Sequence, residues 1–499
     1  MTVEIAGPPI VLLRDEFRAA KRACAAAGAA PSDGIAGTGA AQPRTRRLVL
    51  LNAHCWDAAA RAFSGGPVAV VVAGERIAAV SGDVAAVAAA AVACGDVVVD
   101  CRGMWLLPGL CDAHVHCTAV TADLARLMSY PESLVTAGAA EVLGDMLLRG
   151  FTTVRDAGGA DWGLAQAVDD GAVLGPRVLF TGHALSQTGG HGDFRGRGED
   201  CCACGAALRG IGRVCDGVGD CRRAARDELR RGAHCIKVMA SGGVSSPTDR
   251  LTNTQFSLEE LRAIVEEAEA VGTYVCAHAY KPSAIKRALE CGVRSIEHGN
   301  WLDAECAALM VACGAFLVST TVTYAALRRA GGGGDEGERD GVAAGMPPDL
   351  VAKVADAVEE GIASMRLARG AGVAMCFGSD LLGELHKHQS EEFLLRALAG
   401  VTPPEAIEQA TTNCARLFGM EASMGSIAPG MAADLTLWSA DPSSSAAVLA
   451  APAPHLRLVV KEGLLAAAPP PAAVAGGAAA LAGANARLAA AGGGAEAAA

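Results

Sequence analysis

The sequence predicts an α/β protein in which a (β/α)8 TIM-like barrel is joined to a small β domain built from both ends of the chain. Eight short apolar runs alternate with segments of helical character across residues 108–420, as such a barrel requires. Short β-rich runs flank that region at 47–107 and 421–465. Ionisable residues recur where the apolar runs end, the rim on which a barrel of this kind carries its site. A chain of 499 residues is long enough for both parts.

Residues 1–46 are Ala/Gly-rich, lack sustained periodicity and read as a flexible extension. Glu4, Asp15 and Glu16 do not suit the acid-poor composition of an organelle transit peptide. From Arg47 the texture turns to hairpins: Leu48–Leu51, Val68–Val72, a turn at Ala73-Gly74-Glu75-Arg76, Ile77–Val80 and Val97–Val99.

The eight barrel strands are expected at Leu110–His116, Thr152–Asp156, Val178–His183, Cys235–Ala240, Tyr274–Ala279, Ser295–Gly299, Phe316–Thr320 and Val373–Ser379. Among the intervening helices, Ser257 to Val271 is the clearest. Ser257 and Glu260 make a capping box, and Leu258, Leu261, Ile264, Val265 and Ala268 form one apolar stripe. A second helix starts near Pro282, whose missing N–H costs nothing there, and stops at Cys291-Gly292.

Two connections are long. The one after the third strand carries Ser186-Gln187-Thr188-Gly189-Gly190-His191-Gly192-Asp193, then Cys201, Cys202, Cys204, Cys215 and Cys221. These cysteines lack the paired C-x-x-C spacing of a structural zinc site and read as unligated thiols. The other, 331–341, is four glycines followed by acidic residues and reads as a surface loop. After Met420 the β texture returns at Gly425–Gly430, Asp434–Trp438 and Leu456–Val460, which should rejoin the N-terminal β domain. Residues 466–499 are mostly Ala, Gly and Pro, with too little apolar bulk to offset ordering entropy, and read as a disordered tail.

The balance of 42 basic against 54 acidic residues, net −12, argues against a nucleic-acid or anionic-membrane binder and leaves a small-molecule partner. The chain has no apolar run of spanning length and no secretory signal, so a soluble cytoplasmic protein is expected. Eighteen cysteines scattered through a chain this large suit reduced thiols better than a disulfide scaffold.

The stretch Leu107 to Cys117, L-P-G-L-C-D-A-H-V-H-C, sets His114 and His116 on one face of a strand. Lys237 lies within the fourth strand, His278 ends the fifth, His298 ends the sixth and Asp380 follows the eighth. A single histidine beside an apolar strand is ordinarily a satisfied core residue, and Asp after Gly-Ser is often a helix cap. Six such residues on one rim point to chemistry. Lys237 sits in C-I-K-V-M-A, where an unpaired ammonium is costly. It can serve as a neutral base, form a Schiff base, or react with carbon dioxide to give a metal-bridging carbamate. Four imidazoles and an aspartate suffice for two divalent ions.

The motifs P-G-L-C-D-A-H-V-H, I-K-V-M-A-S-G-G, C-A-H-A-Y, I-E-H-G and G-S-D resemble the amidohydrolase superfamily over residues 47–465. S-Q-T-G-G-H-G-D and S-G-G-V-S-S-P resemble its imidazolonepropionase-like branch, which includes metal-dependent Xaa-Pro dipeptidases and carboxypeptidase-type amidases. The resemblance implies a distorted barrel (108–420) beside a β-sandwich (47–107 with 421–465). It implies two zinc-like ions, one held by His114, His116 and Asp380 and the other by His278 and His298, with carboxylated Lys237 and a hydroxide between them. Mononuclear members lack the bridging lysine, so Lys237 favours a binuclear hydrolase. His191 and Tyr280 would grip a substrate carboxylate by the same resemblance, and relatives commonly form homo-oligomers.

Tyr324, after the seventh strand, is a further substrate-contact candidate, whereas Arg155, His386 and His388 suit supporting or surface positions. Asp380 is the expected general base and then general acid. The expected reaction is hydrolysis of a C–N amide bond in an Xaa-Pro dipeptide or an N-acyl amino acid. A cyclic-amide hydrolase or deaminase is the alternative within the class, and a non-catalytic assembly scaffold the alternative outside it.

Overall fold

The computed structural model describes residues 2–4, 11–28, 47–196, 210–246, 248–330, 354, 356–468 and 486. At its centre run eight parallel strands: β1 (Leu110–Val115), β2 (Phe151–Asp156), β3 (Arg177–Phe180), β4 (Ile236–Met239), β5 (Val275–Ala279), β6 (Ser295–His298), β7 (Phe316–Ser319) and β8 (Ala374–Phe377). Each falls on an expected run, with ends shifted by a few residues. They pair as two all-parallel groups, β1 to β3 and β4 to β8. Two short strands in the long third connection, Ala184–Ser186 and Gly212–Val214, extend the second group beside β4. Ser379 N and Asp380 N, just past β8, both donate to His114 O in β1, at 3.2 and 2.8 Å.

Every residue of β1 and β2 is buried, as expected of parallel strands covered on both faces. The covering helices include Leu258–Ala270, started by the Ser257/Glu260 capping box and burying Leu261, Ile264, Val265 and Ala268. Helix Pro282–Glu290 has proline in its first turn, and Gly292 just beyond it takes φ +91, which favours glycine.

A second network of eleven strands draws on both ends of the chain. Trp105–Pro108 pairs parallel with Leu48–Asp57 and antiparallel with Leu435–Trp438, and Leu456–Lys461 and Leu464–Ala468 continue from there. The expected β run at Gly425–Gly430 is not a strand. It lies along the Arg76–Ser81 edge, where Gly430 N donates to Ile77 O at 2.8 Å.

Two expectations need correction. Residues 11–28 are not a loose extension: Val11–Leu12 pairs with Leu464–Ala468, and helix Arg14–Gly28 follows. Leu13, Phe17 and Ala20, spaced four and three apart, are buried and form the stripe that docks this segment. Residues 466–468 likewise belong to a strand rather than to the tail. Ala466, Ala467 and Ala468 are buried, and Ala466 O accepts from Leu13 N at 2.9 Å, a ladder that needs no large side chains. Thr2–Glu4 is likewise a strand, paired parallel with Val98–Asp100, whereas residues 5–10, 29–46, 469–485 and 487–499, the 331–341 loop, and Cys201, Cys202 and Cys204 lie outside the described residues. Cys215 and Cys221 are buried free thiols. Among the described residues no helix is long and apolar enough to cross a membrane.

Candidate metal centre

Strand alternation continuing one residue past β1 brings the rings of His114 and His116 to 5.3 Å, both buried. His114 Nδ1 lies 2.7 Å from Glu297 Oε2, and His116 Nδ1 lies 2.8 Å from Gly158 O. A carboxylate and a carbonyl only accept, so each imidazole donates from Nδ1 and leaves its Nε2 as an open lone pair. These Nε2 atoms stand 3.4 and 3.2 Å from Asp380 Oδ1. Ligands about 2.1 Å from a tetrahedral metal are separated by about 3.4 Å. One donor atom from each of the three residues lies within 4.8 Å of the others. The donor set, its spacing and the orienting bonds behind it fit a divalent cation.

The other expected residues gather around this triad. Lys237, 1% exposed, places Nζ 3.3 Å from His114 Nε2. Among the described residues no carboxylate oxygen comes within 4.0 Å of that amine. The His298 ring is 5.0 Å from His114 and 4.6 Å from His278, and its Nδ1 is 2.7 Å from Thr320 Oγ1 and 3.7 Å from Asp380 Oδ2. His278 Nε2 is 3.1 Å from Gly242 O.

His298 and Asp380 both take left-handed backbone, φ +71 and +53. For non-glycine residues this costs about 1 kcal/mol each and is characteristic of functional sites. At His298 it breaks the strand alternation. Glu297 thereby reaches His114 from inside the sheet while His298, next in sequence, still lines the cavity.

Burial, reinforced by Lys237, holds the His114 imidazole well below its ordinary pKa, so the ring is neutral. His278 and His298 are lowered by burial and then by neighbouring imidazoles. Burial alone would raise Asp380, yet in this polar setting its pKa lies below the ordinary value, so the carboxylate is ionised.

His191, Tyr280 and Tyr324 line the same cavity. The His191 ring stacks on His278 at 4.2 Å and 27°, with Nδ1 2.8 Å from Ser246 Oγ, and the Tyr280 and Tyr324 hydroxyls meet at 2.7 Å. Leu124, Phe194, Ile211 and Leu382 give the cavity an apolar wall. His386 is buried but faces Ala119 O at 3.3 Å rather than the cavity, and His388 pairs with Glu391.

Sequence reasoning passed over Glu297 and Asp112. The available signal was an acidic residue inside a buried strand next to a proposed ligand, in I-E-H-G and C-D-A-H.

Residues 105–465 match the amidohydrolase family. An ochratoxinase of Aspergillus niger is 33% identical over 363 residues, covering 70% of this chain and 72% of its own. A prolidase solved with N-methylphosphonate-L-proline superposes with a TM-score of 0.77 at 44% identity, covering 84% of this chain and 99% of its own. A Xaa-Pro dipeptidase solved with methionine in its active site gives a TM-score of 0.72 at 27% identity, covering 84% and 99%. The chain belongs to the amidohydrolase family and is a hydrolase acting on carbon–nitrogen bonds.

Proposed function

We infer that this hydrolase is binuclear and cleaves the amide bond of an Xaa-Pro dipeptide or an N-acyl amino acid. The observation that carries the reading is the gathering of His114, His116, Lys237, His278, His298 and Asp380 around one cavity. The prolidase, dipeptidase and ochratoxinase relatives support the substrate class. The eight parallel strands are taken as a closed barrel over 108–420, supported by the Ser379 and Asp380 bonds that join β8 to β1. The eleven-strand network is taken as its β-sandwich.

His114, His116 and Asp380 would hold one divalent ion, zinc by preference for this donor set, and His278 and His298 the other. Carboxylated Lys237 would lie between them. An ammonium at Lys237 would be a buried charge with no carboxylate oxygen within 4.0 Å among the described residues, and carboxylation turns it into an anionic ligand. Bound there, the ions supply an acidified water and a polarised carbonyl.

The chain's own residues do the rest. Asp380, ionised and 19% exposed at its side chain, accepts the proton of the attacking water and returns it to the leaving nitrogen. Burial raises the pKa of both phenols, so Tyr280 and Tyr324 remain protonated donors that, with His191, orient a carboxylate or the scissile carbonyl. The apolar wall excludes water from the reacting bond.

The test is a panel of Xaa-Pro dipeptides, N-acyl amino acids and imidazolone or hydantoin rings on metal-replete protein. Turnover confined to the first two classes supports the reading, and turnover of the rings alone replaces it.

A further inference from the structure

Behind His114 lies a buried ion pair that the proposed reaction does not use directly. Arg155 in β2 is 0% exposed, and its guanidinium meets β1, β6 and Tyr274 just before β5. Nε donates to Ala113 O at 2.6 Å, one terminal nitrogen donates to Tyr274 OH and Ser295 Oγ at 3.3 Å each, and the other bonds both Glu297 oxygens at 2.8 Å. Ser295 Oγ donates to Glu297 Oε1 at 2.6 Å. Glu297 Oε2 then accepts a hydrogen bond from His114 Nδ1 at 2.7 Å. A lone carboxylate would be costly here, and Arg155 supplies the charge that lets it stay as an acceptor.

The two rings of the triad are oriented differently. His116 leans on the neutral Gly158 carbonyl, His114 on an anion. A charge-assisted bond at Nδ1 fixes the ring more firmly and makes Nε2 the stronger donor.

We propose that Arg155 and Glu297 are positioning residues for the metal centre: the pair locks His114 so that only Nε2 faces the ion, and thereby sets how tightly that ion is held. This rests on reading His114, His116 and Asp380 as a metal site.

The test loads full-length protein with Co2+ and challenges it with a series of chelator concentrations. It reads metal retained per chain, the visible Co2+ spectrum and the thermal midpoint. Glu297→Gln is expected to release an ion at about 10- to 100-fold lower chelator concentration than the wild type. Because that variant strands a buried guanidinium, Arg155→Met/Glu297→Gln is tested beside it. The double variant is expected to keep a near wild-type midpoint after metal removal, yet to lose metal early and with an altered spectrum. Wild-type retention in the double variant overturns the proposal, while His114→Asn still losing metal leaves the site itself intact. A wild type that holds no metal, with His114→Asn unchanged, overturns both.

Discussion

Ser379 is held twice by Asp112: its hydroxyl donates to Oδ2 at 2.6 Å and its backbone N–H to Oδ1 at 3.2 Å. The same carboxylate accepts from His114 N at 3.0 Å and from Gln389 Nε2 at 2.9 Å. One buried side chain therefore fixes the backbone on which His114 and Asp380 are mounted, across strands far apart in sequence. Burial pushes Asp112 up to about 6 against those hydrogen bonds, leaving it ionised at neutral pH. Asp112→Ala would leave three donors without an acceptor and Ser379 N with His114 O alone. It is expected to destabilise the fold by about 3 kcal/mol and to reduce activity. Differential scanning calorimetry with an amide-hydrolysis assay checks this, and an unchanged midpoint with full activity would refute it.

Gly243 controls His191. A Cβ built at Gly243 would stand 2.0 Å from His191 Cε1, and the ring cannot yield freely while it stacks on His278 and bonds Ser246. Gly243→Ala should displace His191 and raise KM about tenfold, the equivalent of one charge-assisted hydrogen bond, with little change in midpoint. A wild-type KM would remove His191 from substrate binding.

Acid sensitivity should appear at Glu462. Burial raises this carboxyl, but Lys461, Lys21 and Arg177 more than offset it and hold it well below the ordinary carboxylate range. The Glu462 oxygens lie 2.6, 2.5 and 3.1 Å from those three cations, tying the N-terminal helix and β3 to the C-terminal hairpin. A depressed folded-state pKa gives stability that is present above the unfolded value near 4.5 and lost as pH falls below it. Glu462→Gln should cost about 3 kcal/mol at pH 7, with the gap to wild type narrowing below about pH 4. Thermal midpoints across pH test this, and a gap independent of pH contradicts it.

What was legible in the sequence was what local pattern encodes. Apolar runs such as C-I-K-V-M-A mark strands because parallel strands are buried on both faces, and ligands at their ends follow from strand period and barrel rim. The capping box at Ser257 fixed a helix start from four residues. Partners distant in sequence were not legible: I-E-H-G marks Glu297 as unusual, but its partner His114 lies 183 residues away and no local pattern names it. Helix Arg14–Gly28 was hidden because its stripe of Leu13, Phe17 and Ala20 lies in Ala-rich sequence, where the apolar contrast is weak. The αL backbone at His298 and Asp380 was equally silent, since neither residue type requires it.

In the proposed function, Lys237 makes the centre binuclear. Metal per chain, measured for the wild type and Lys237→Ala in the same preparations assayed for Xaa-Pro and N-acyl amino acid hydrolysis, tests it most directly. Two ions are expected in the wild type, and in the variant the loss of at least one together with about 100-fold or more of the activity. Far fewer than two ions in the wild type, with Lys237→Ala fully active, would contradict it.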